Sequence, residues 1–203
     1  MSTPSNINGL YHDKWFRSDY EFDQLYPLYI RQLAKKHWTP IGVARSAVEF
    51  LAADNGVKIL DIGSGAGKFC LSGAYYKPQS FFYGVEQRQS LVEQAEAANF
   101  ILELKNVSFI NGNVTELDLK NYDHFYFYNA FYENLSGNDT IDQTVDYSGQ
   151  LYNYYNRFVY RQLDKKPAGT RLATYHSMEH EVPRDFHVVG SAEGNILKFW
   201  IKV

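Results

Sequence analysis

The sequence predicts an α/β fold: a doubly wound, mostly parallel seven-stranded sheet that ends in an antiparallel hairpin and carries helices on both faces. Short apolar segments with the character of strands alternate along the chain with longer helical segments. This alternation is typical of a parallel sheet that is covered on both sides. The last two strand-like segments flank only residues 190–195. Because no helix fits between them, these two strands must pair as an antiparallel hairpin.

The predicted strands are apolar runs bounded by Gly, Pro, Asn or polar residues. In chain order they are residues 57–62, 81–85, 107–110, 122–128, 171–175, 186–189 and 196–201. The first of them leads directly into a turn that contains three glycines, and a helix follows that turn up to about Tyr76. Strand, glycine-rich turn and helix in this order indicate the first unit of a doubly wound sheet.

The predicted helices begin and end at recognisable residues. Pro27 opens a helix that runs to about His37, and Thr39 is predicted as the N-cap of the next helix, with Pro40 at its first position. That helix ends near residues 54–56, and a tyrosine-rich helix covers residues 150–163. A further helix, residues 90–104, carries apolar side chains on one stripe: Leu91, Ala95, Ala98 and Leu102.

The length favours one main domain. With 203 residues, of which 45% are hydrophobic and 21% charged, the chain can bury a continuous core beneath several strands. We divide it into an N-terminal helical or lid segment, residues 1–38, and an α/β domain, residues 39–203. The aromatic and charged run at residues 11–17 is the part of the first segment that we expect to lie over a ligand crevice.

Charge and cysteine content indicate which classes of partner and which cellular location to expect. A net charge of −3 and a pI of about 6.1 argue against a nucleic-acid partner, because phosphate binding needs clustered Lys and Arg. No apolar stretch resembles a signal peptide or a membrane span, so we expect a cytoplasmic protein with no membrane partner. Cys70 is the only cysteine, which excludes an internal disulfide. The oligomeric state stays open.

The glycine-rich turn is the predicted ligand site. In a doubly wound sheet the ligand crevice lies outside the carboxyl ends of the strands, where the strand order reverses, and residues 63–67 occupy that place. Glycine permits positive φ angles and close approach of the backbone to a ligand. Glu86 ends the second strand roughly 20 residues further on, the offset at which an acidic side chain reaches a ribose.

The run from Leu60 to Gly67, LDIGSGAG, resembles the first motif of the class I S-adenosylmethionine-dependent methyltransferases. Dinucleotide dehydrogenases instead have their third glycine where this chain has Lys68, and they seldom have an acid at the position of Asp61. The resemblance implies that S-adenosylmethionine is the cofactor, that Asp61 orients its methionine end and that Glu86 holds its ribose. Asn113 stands where the family often has an Asp that accepts from the adenine amino group, and an amide oxygen is also an acceptor.

The full set of cofactor-binding residues implied by the resemblance is Thr39, Asp61, Gly63, Ser64, Gly65, Gly67, Glu86, Gln87, Asn113, Val114 and Asn129. The predicted catalytic residues, Asn129 and Tyr132, follow the fourth strand, where the family places acceptor-binding groups. We hypothesise that Asn129 hydrogen-bonds the acceptor or the cofactor while Phe131 and Tyr132 wall the methyl channel. His176 and His180 are candidate bases. No Cys and His cluster has metal-ligand spacing, so we expect no metal.

These observations predict methyl transfer to an acceptor that the sequence leaves open, either a small molecule or a protein side chain. The Asn-Pro-Pro-Tyr motif of enzymes that methylate planar amide or adenine nitrogens is incomplete, because both prolines are missing after Asn129. Residues 128–133 are loosely similar to the Asn-Asn-Phe-Ala-Phe stretch of the histone lysine methyltransferases that share this fold. Two alternatives remain: a non-catalytic module of the same fold that binds a cofactor or a partner, and an NAD-dependent oxidoreductase.

Overall fold

Seven strands form a single sheet in the computed structural model, which describes residues 13–135, 141–176 and 179–203. Tyr11 and His12 of the predicted N-terminal run lie outside the described residues. The strands are β1 (Lys58–Ile62), β2 (Phe81–Glu86), β3 (Val107–Asn111), β4 (His124–Tyr128), β5 (Arg171–Tyr175), β6 (Phe186–Ala192) and β7 (Leu197–Lys202). Their order across the sheet is β3-β2-β1-β4-β5-β7-β6.

The pairing confirms the predicted fold class. Strands β1 to β5 pair parallel with one another, whereas β7 pairs antiparallel with both β5 and β6. The sheet grows from β1 outward to β3 and then reverses to β4 on the other side of β1. A crevice therefore forms at the carboxyl ends of β1 and β4, where a doubly wound sheet binds its ligand.

The longer described helices cover both faces of the sheet. They are α1 (Asp19–Asp23), α2 (Leu28–Arg31), α3 (Ala34–His37), α4 (Ile41–Leu51), α5 (Lys68–Tyr76), α6 (Gln89–Leu102) and α7 (Gly149–Asp164). Single turns of 3₁₀ helix lie at Lys14–Phe16, Val114–Glu116, Leu119–Asn121, Tyr132–Asn134, Glu179–Glu181 and Glu193–Asn195. None of the described helices is long and apolar enough to cross a membrane.

Two details of the predicted N-terminal helices were wrong. The single helix from Pro27 to His37 is divided into α2 and α3, because the Leu33 N–H bonds the Ile30 carbonyl only three residues back and so tightens the chain. Thr39 is not the N-cap of α4. Pro40 occupies that position, and the free N–H of Ile41 donates instead to the Asp19 carboxylate, 2.9 Å away.

Alternate side chains of the central strands enter two separate cores. Ile59 and Tyr126 lie in the core beneath α4, α5 and α6, whereas Leu60 and Phe125 lie in the core on the other face, together with buried residues of α7. All four of the stripe residues predicted for α6 are buried. Asp61 shares a face with Ile59, because side chains two residues apart in a strand point the same way.

Candidate active site

A cavity of about 540 Å³ opens at the carboxyl ends of β1, β2 and β4. This volume lies in the range of about 300–1,000 Å³ that is usual for small-molecule sites. Eight of the predicted site residues line it: Gly63, Gly65, Glu86, Gln87, Asn113, Val114, Asn129 and Tyr132. Four others lie outside the lining: Ser64 and Gly67 belong to the turn itself, and Thr39 and Asp61 lie beneath it. The individual roles of all of these residues stay predictions.

All three glycines of the turn have positive φ, but the space around a side chain at each position differs. A Cβ on Gly63 would lie 2.5 Å from the Cβ of Ala130, and one on Gly67 would lie 2.6 Å from the Phe109 ring, so both positions are closed by packing. Gly65 lines the cavity, and a Cβ there would meet nothing within 4 Å. The turn is therefore a cradle whose free space lies over Gly65, and a bulky ligand fits there.

Glu86 faces the cavity from the end of β2. Its carboxylate accepts the Gly65 N–H at 3.2 Å and the Arg88 N–H at 2.9 Å, which ties the strand to the turn. Burial raises the pKa of Glu86, although these hydrogen bonds and the Arg88 guanidinium oppose the shift. A carboxylate has about four acceptor sites, so Glu86 retains the capacity to accept from ribose hydroxyls.

Asp61 is buried beneath the turn. The Cys70 thiol donates to its Oδ2 at 3.6 Å, and burial raises the pKa of Asp61 to about 8. Next to it the hydroxyls of Thr39 and Tyr126 are hydrogen-bonded, 3.0 Å apart, and the Tyr126 ring stacks on Phe69. This layer supports the turn from below. Contact of Asp61 or Thr39 with the methionine end of the cofactor stays a prediction.

Asn113 lines the cavity, and its side chain is already hydrogen-bonded within the protein. Its Oδ1 accepts from both the N–H and the hydroxyl of Thr115, and its Nδ2 donates to the Tyr155 hydroxyl at 3.0 Å. Contact of this oxygen with an adenine amino group would have to replace one of the Thr115 bonds, since a carbonyl oxygen has two lone pairs. Nothing in the sequence pattern pointed to Tyr155, which also lines the cavity.

The aromatic wall of the cavity follows β4 and β5. Tyr128, Phe131 and Tyr132 line it, and Tyr132 is 42% exposed at the mouth. Asn129 and His176, which directly follow β4 and β5, have φ angles of 42° and 56°, in the left-handed region that most residues avoid. His176 lines the cavity, whereas His180 is outside the lining.

Arg88 is a central residue of the site that sequence reasoning missed. Its buried guanidinium contacts Glu86, Glu133 and Asp142 and donates to the Tyr147 hydroxyl at 2.6 Å. Glu133 in turn accepts the Ile141 N–H. These partners are up to 59 positions away in the chain, so no local spacing could have indicated the cluster.

The N-terminal segment packs beside the turn. The Tyr26 hydroxyl donates to the Ala66 carbonyl at 2.8 Å, and buried Lys68 pairs with Asp19 and Asp23. Side chains that follow them line the cavity: Leu33, His37 and Trp38. Within the described residues, no three His, Cys, Asp or Glu side chains are grouped as metal ligands.

A family model described as a methyltransferase domain matches residues 53–187, about two thirds of the chain. The chain belongs to this family. It is an S-adenosylmethionine-dependent methyltransferase, as the first motif and the fold predicted. Membership of this family argues against the oxidoreductase alternative. The cradle over Gly65, beside the Glu86 carboxylate, fits the cofactor.

Solved structures share the fold of this methyltransferase. TrmN from Thermus thermophilus has a TM-score of 0.60 and 16% identity, with 86% of this chain and 52% of that chain covered. An RNA methyltransferase from Salinibacter ruber, solved with S-adenosyl-L-homocysteine, has a TM-score of 0.59 and 18% identity, with coverage of 81% and 93%.

Curated relatives match over a shorter stretch. Over 55 residues, 27% of this chain, the methyltransferase is 51% identical to a tRNA (guanine-N(7)-)-methyltransferase from Synechococcus sp. (strain JA-3-3Ab) and 44% identical to one from Microcystis aeruginosa. The match spans only about a quarter of those relatives' length, 23% and 26%.

These relatives contradict the prediction from net charge that argued against a nucleic-acid partner, and that prediction was wrong. It rested on the net charge of −3, but net charge sums the whole surface, whereas contact with phosphates depends only on the local arrangement of cations. The predicted cytoplasmic location stays a prediction.

Proposed function

We propose that this methyltransferase methylates RNA and that the acceptor atom is N7 of a guanine in tRNA. The observation that carries the proposal is the 55-residue stretch that is 51% identical to a tRNA (guanine-N(7)-)-methyltransferase. Two further enzymes of the same name match over 55 residues at 49% and 44% identity.

The cavity wall supports a planar acceptor. Flat nucleobases stack on aromatic side chains, and Tyr128, Phe131 and Tyr132 present such rings beside the predicted methyl channel. Asn129 lies between them and carries both a donor and an acceptor, which suits the hydrogen-bonding edge of a base. Tyr132 is 42% exposed, so an entering base can reach it from solvent.

The chemistry of guanine N7 suits a site without a dedicated base. S-adenosylmethionine supplies a methyl group already activated on a sulfonium. N7 is an acceptor that carries a free lone pair at neutral pH, so no proton has to be removed before attack. The residues therefore act by positioning: the rings hold the base in line and exclude water. Their faces also attract the positive charge that the methylated base acquires.

The proposal is tested with labelled S-adenosylmethionine and three separate acceptor pools: tRNA, soluble protein and small metabolites. We expect label in tRNA, recovered as 7-methylguanosine after digestion to nucleosides. Label in another nucleoside would retain the RNA substrate but reject N7. Label confined to the protein or metabolite pool would overturn the proposal, and a heat-inactivated sample provides the background.

A further inference from the structure

One face of α7 carries a continuous polar and aromatic stripe. Its residues are three or four positions apart, which places them on one side of a helix. They line a second, open cavity of about 660 Å³: Gln150, Asn153, Tyr154, Arg157, Phe158, Arg161, Gln162 and Lys165, the last of which is the C-cap residue that directly follows α7. We call this set the α7 stripe.

The α7 stripe has the charge that a phosphate backbone requires. Arg157, Arg161 and Lys165 are all exposed and follow one another at four-residue intervals, which is about 6 Å along the axis. None of the three is within 4.0 Å of a carboxylate among the residues that the structure describes. The one acid of α7 is Asp164, in its last turn. Three cations without a carboxylate partner in the described part of the chain therefore face solvent in a row.

Aromatic rings interrupt the cations. Tyr154 is 56% exposed, although α7 buries Val159 and Leu163 on its other side. Arginine beside an exposed ring is suited to RNA, because guanidinium groups bind phosphates and aromatic faces stack on bases. An acidic protein would use the same cations but gains nothing specific from the ring, so the stripe favours nucleic acid.

The α7 stripe also lies next to the active site. Tyr155, the neighbour of Tyr154, lines the cofactor cavity, and the two rings are 5.6 Å apart. Tyr155 contacts Phe131 and accepts from Asn113, so α7 is held firmly against the site. The Ser148 hydroxyl accepts the Leu151 N–H and caps the helix. From Tyr154 to Lys165 the stripe extends about 16 Å away from the cavity.

We propose that the α7 stripe is the surface along which the RNA substrate docks. The phosphates contact Arg157, Arg161 and Lys165, and a base near the acceptor stacks on Tyr154. This inference rests on the proposed function and deepens it, because it names the surface that brings the strand to the cavity.

The test replaces the three cations together, Arg157→Gln, Arg161→Gln and Lys165→Gln, and measures tRNA affinity by fluorescence anisotropy at several salt concentrations. A control variant changes Lys58, Lys105 and Lys120 to Gln. These lysines are exposed and lie at the opposite edge of the sheet from the cavity: Lys58 is the first residue of β1, and Lys105 and Lys120 precede β3 and β4. Their replacement alters the net charge equally. S-adenosylhomocysteine affinity, measured by calorimetry, reports whether each variant retains its site.

We expect the stripe variant to bind tRNA at least tenfold more weakly and to reduce the slope of log affinity against log salt by about 2, since each contact with a single strand contributes about 0.7. Tyr154→Ala should weaken binding roughly tenfold, with recovery in Tyr154→Phe. Cofactor affinity should stay unchanged in every variant.

Equal losses in the stripe and control variants would overturn the inference, because they would reflect net charge alone. If the wild type methylates tRNA while the stripe variant binds it normally, the docking surface is wrong and the proposed function survives. If the wild type neither binds nor methylates RNA, both proposals fail.

Discussion

The Arg88 guanidinium lies 2.7 Å from the Glu133 carboxylate, which connects the end of β2 to the segment that follows β4. Arg88 also contacts Glu86, so one buried cation holds the predicted ribose carboxylate and the wall of the methyl channel together. These carboxylates raise the pKa of Arg88, although burial acts in the opposite direction. A single side chain thus joins the part of the cavity predicted to hold the cofactor and the part predicted to hold the acceptor.

Replacement of Arg88 by Met should destabilise the fold by about 3–5 kcal/mol, because the buried carboxylate of Glu86 and the half-buried carboxylate of Glu133 would lose their partner. Urea unfolding measures the change. The matched control is Arg45→Met, which removes an exposed pair with Glu49 and should cost no more than about 1 kcal/mol. Similar losses of unfolding free energy in both variants would show that the buried cluster contributes no more to stability than an exposed ion pair.

Glu86→Gln should weaken S-adenosylhomocysteine binding by about tenfold or more, since hydrogen bonds to a charged acceptor contribute about 1.5–3 kcal/mol. Calorimetric titration gives the Kd. Glu96→Gln, an exposed change on α6, removes the same charge outside the cavity and should leave the Kd unaltered. An unchanged Kd for Glu86→Gln would remove this carboxylate from the cofactor site.

Gly65→Ala should abolish most cofactor binding while the protein still folds. Gly56→Ala is its control, because both glycines have positive φ and neither has a neighbour within 4 Å of an added Cβ. Each substitution should cost about 1–2 kcal/mol in backbone strain. Only Gly65 lines the cavity, so only Gly65→Ala should lose the thermal stabilisation that S-adenosylhomocysteine provides. Equal stabilisation of both variants by S-adenosylhomocysteine would contradict the prediction that the cofactor occupies the space over Gly65.

The stability of the free protein should fall as pH rises from about 4 to about 8. Burial raises the pKa of Asp61 from 3.8 to about 8, so in this interval the folded chain binds a proton that the unfolded chain has lost. The stabilisation is complete below the unfolded pKa and disappears as pH passes the folded pKa. Asp61→Asn should flatten the dependence of Tm on pH over this range. A wild-type profile that rises with pH throughout would refute the assignment.

Asn129→Gly should slow methyl transfer to tRNA by about tenfold to a hundredfold, and the affinity for S-adenosylhomocysteine, measured by calorimetry, shows whether the side chain also contacts the cofactor. Glycine accepts the φ angle of 42° that Asn129 adopts, so the variant removes the side chain without adding backbone strain. The effect on turnover follows from lost positioning of the acceptor. Intact affinity together with intact turnover would exclude Asn129 from the site.

The parts of the site that could be predicted are those with a local signal. Gly63, Gly65 and Glu86, which line the cavity, were predicted because a glycine-rich turn after a strand and an acid after the next strand have a recognisable spacing. Thr39 was misassigned because its sequence context is that of an N-cap, yet Asp19, from another helix, satisfies the Ile41 N–H. The nucleic-acid prediction failed for a related reason: the net charge says nothing about how Arg157, Arg161 and Lys165 align on α7.

By itself the sequence determined the alternation of strands and helices, the closing antiparallel hairpin and the edge of the sheet at which the cavity lies, because these depend on periodicity and on residues close together in the chain. Tertiary structure alone decided which side chains meet at that edge. Arg88 reaches Glu133, Asn113 reaches Tyr155, and Asp61 lies under the turn with Cys70, and the first two of these contacts join residues that are more than 40 positions apart. Such contacts arise only when the packed strands bring distant segments together, since no local pattern encodes the distance between them.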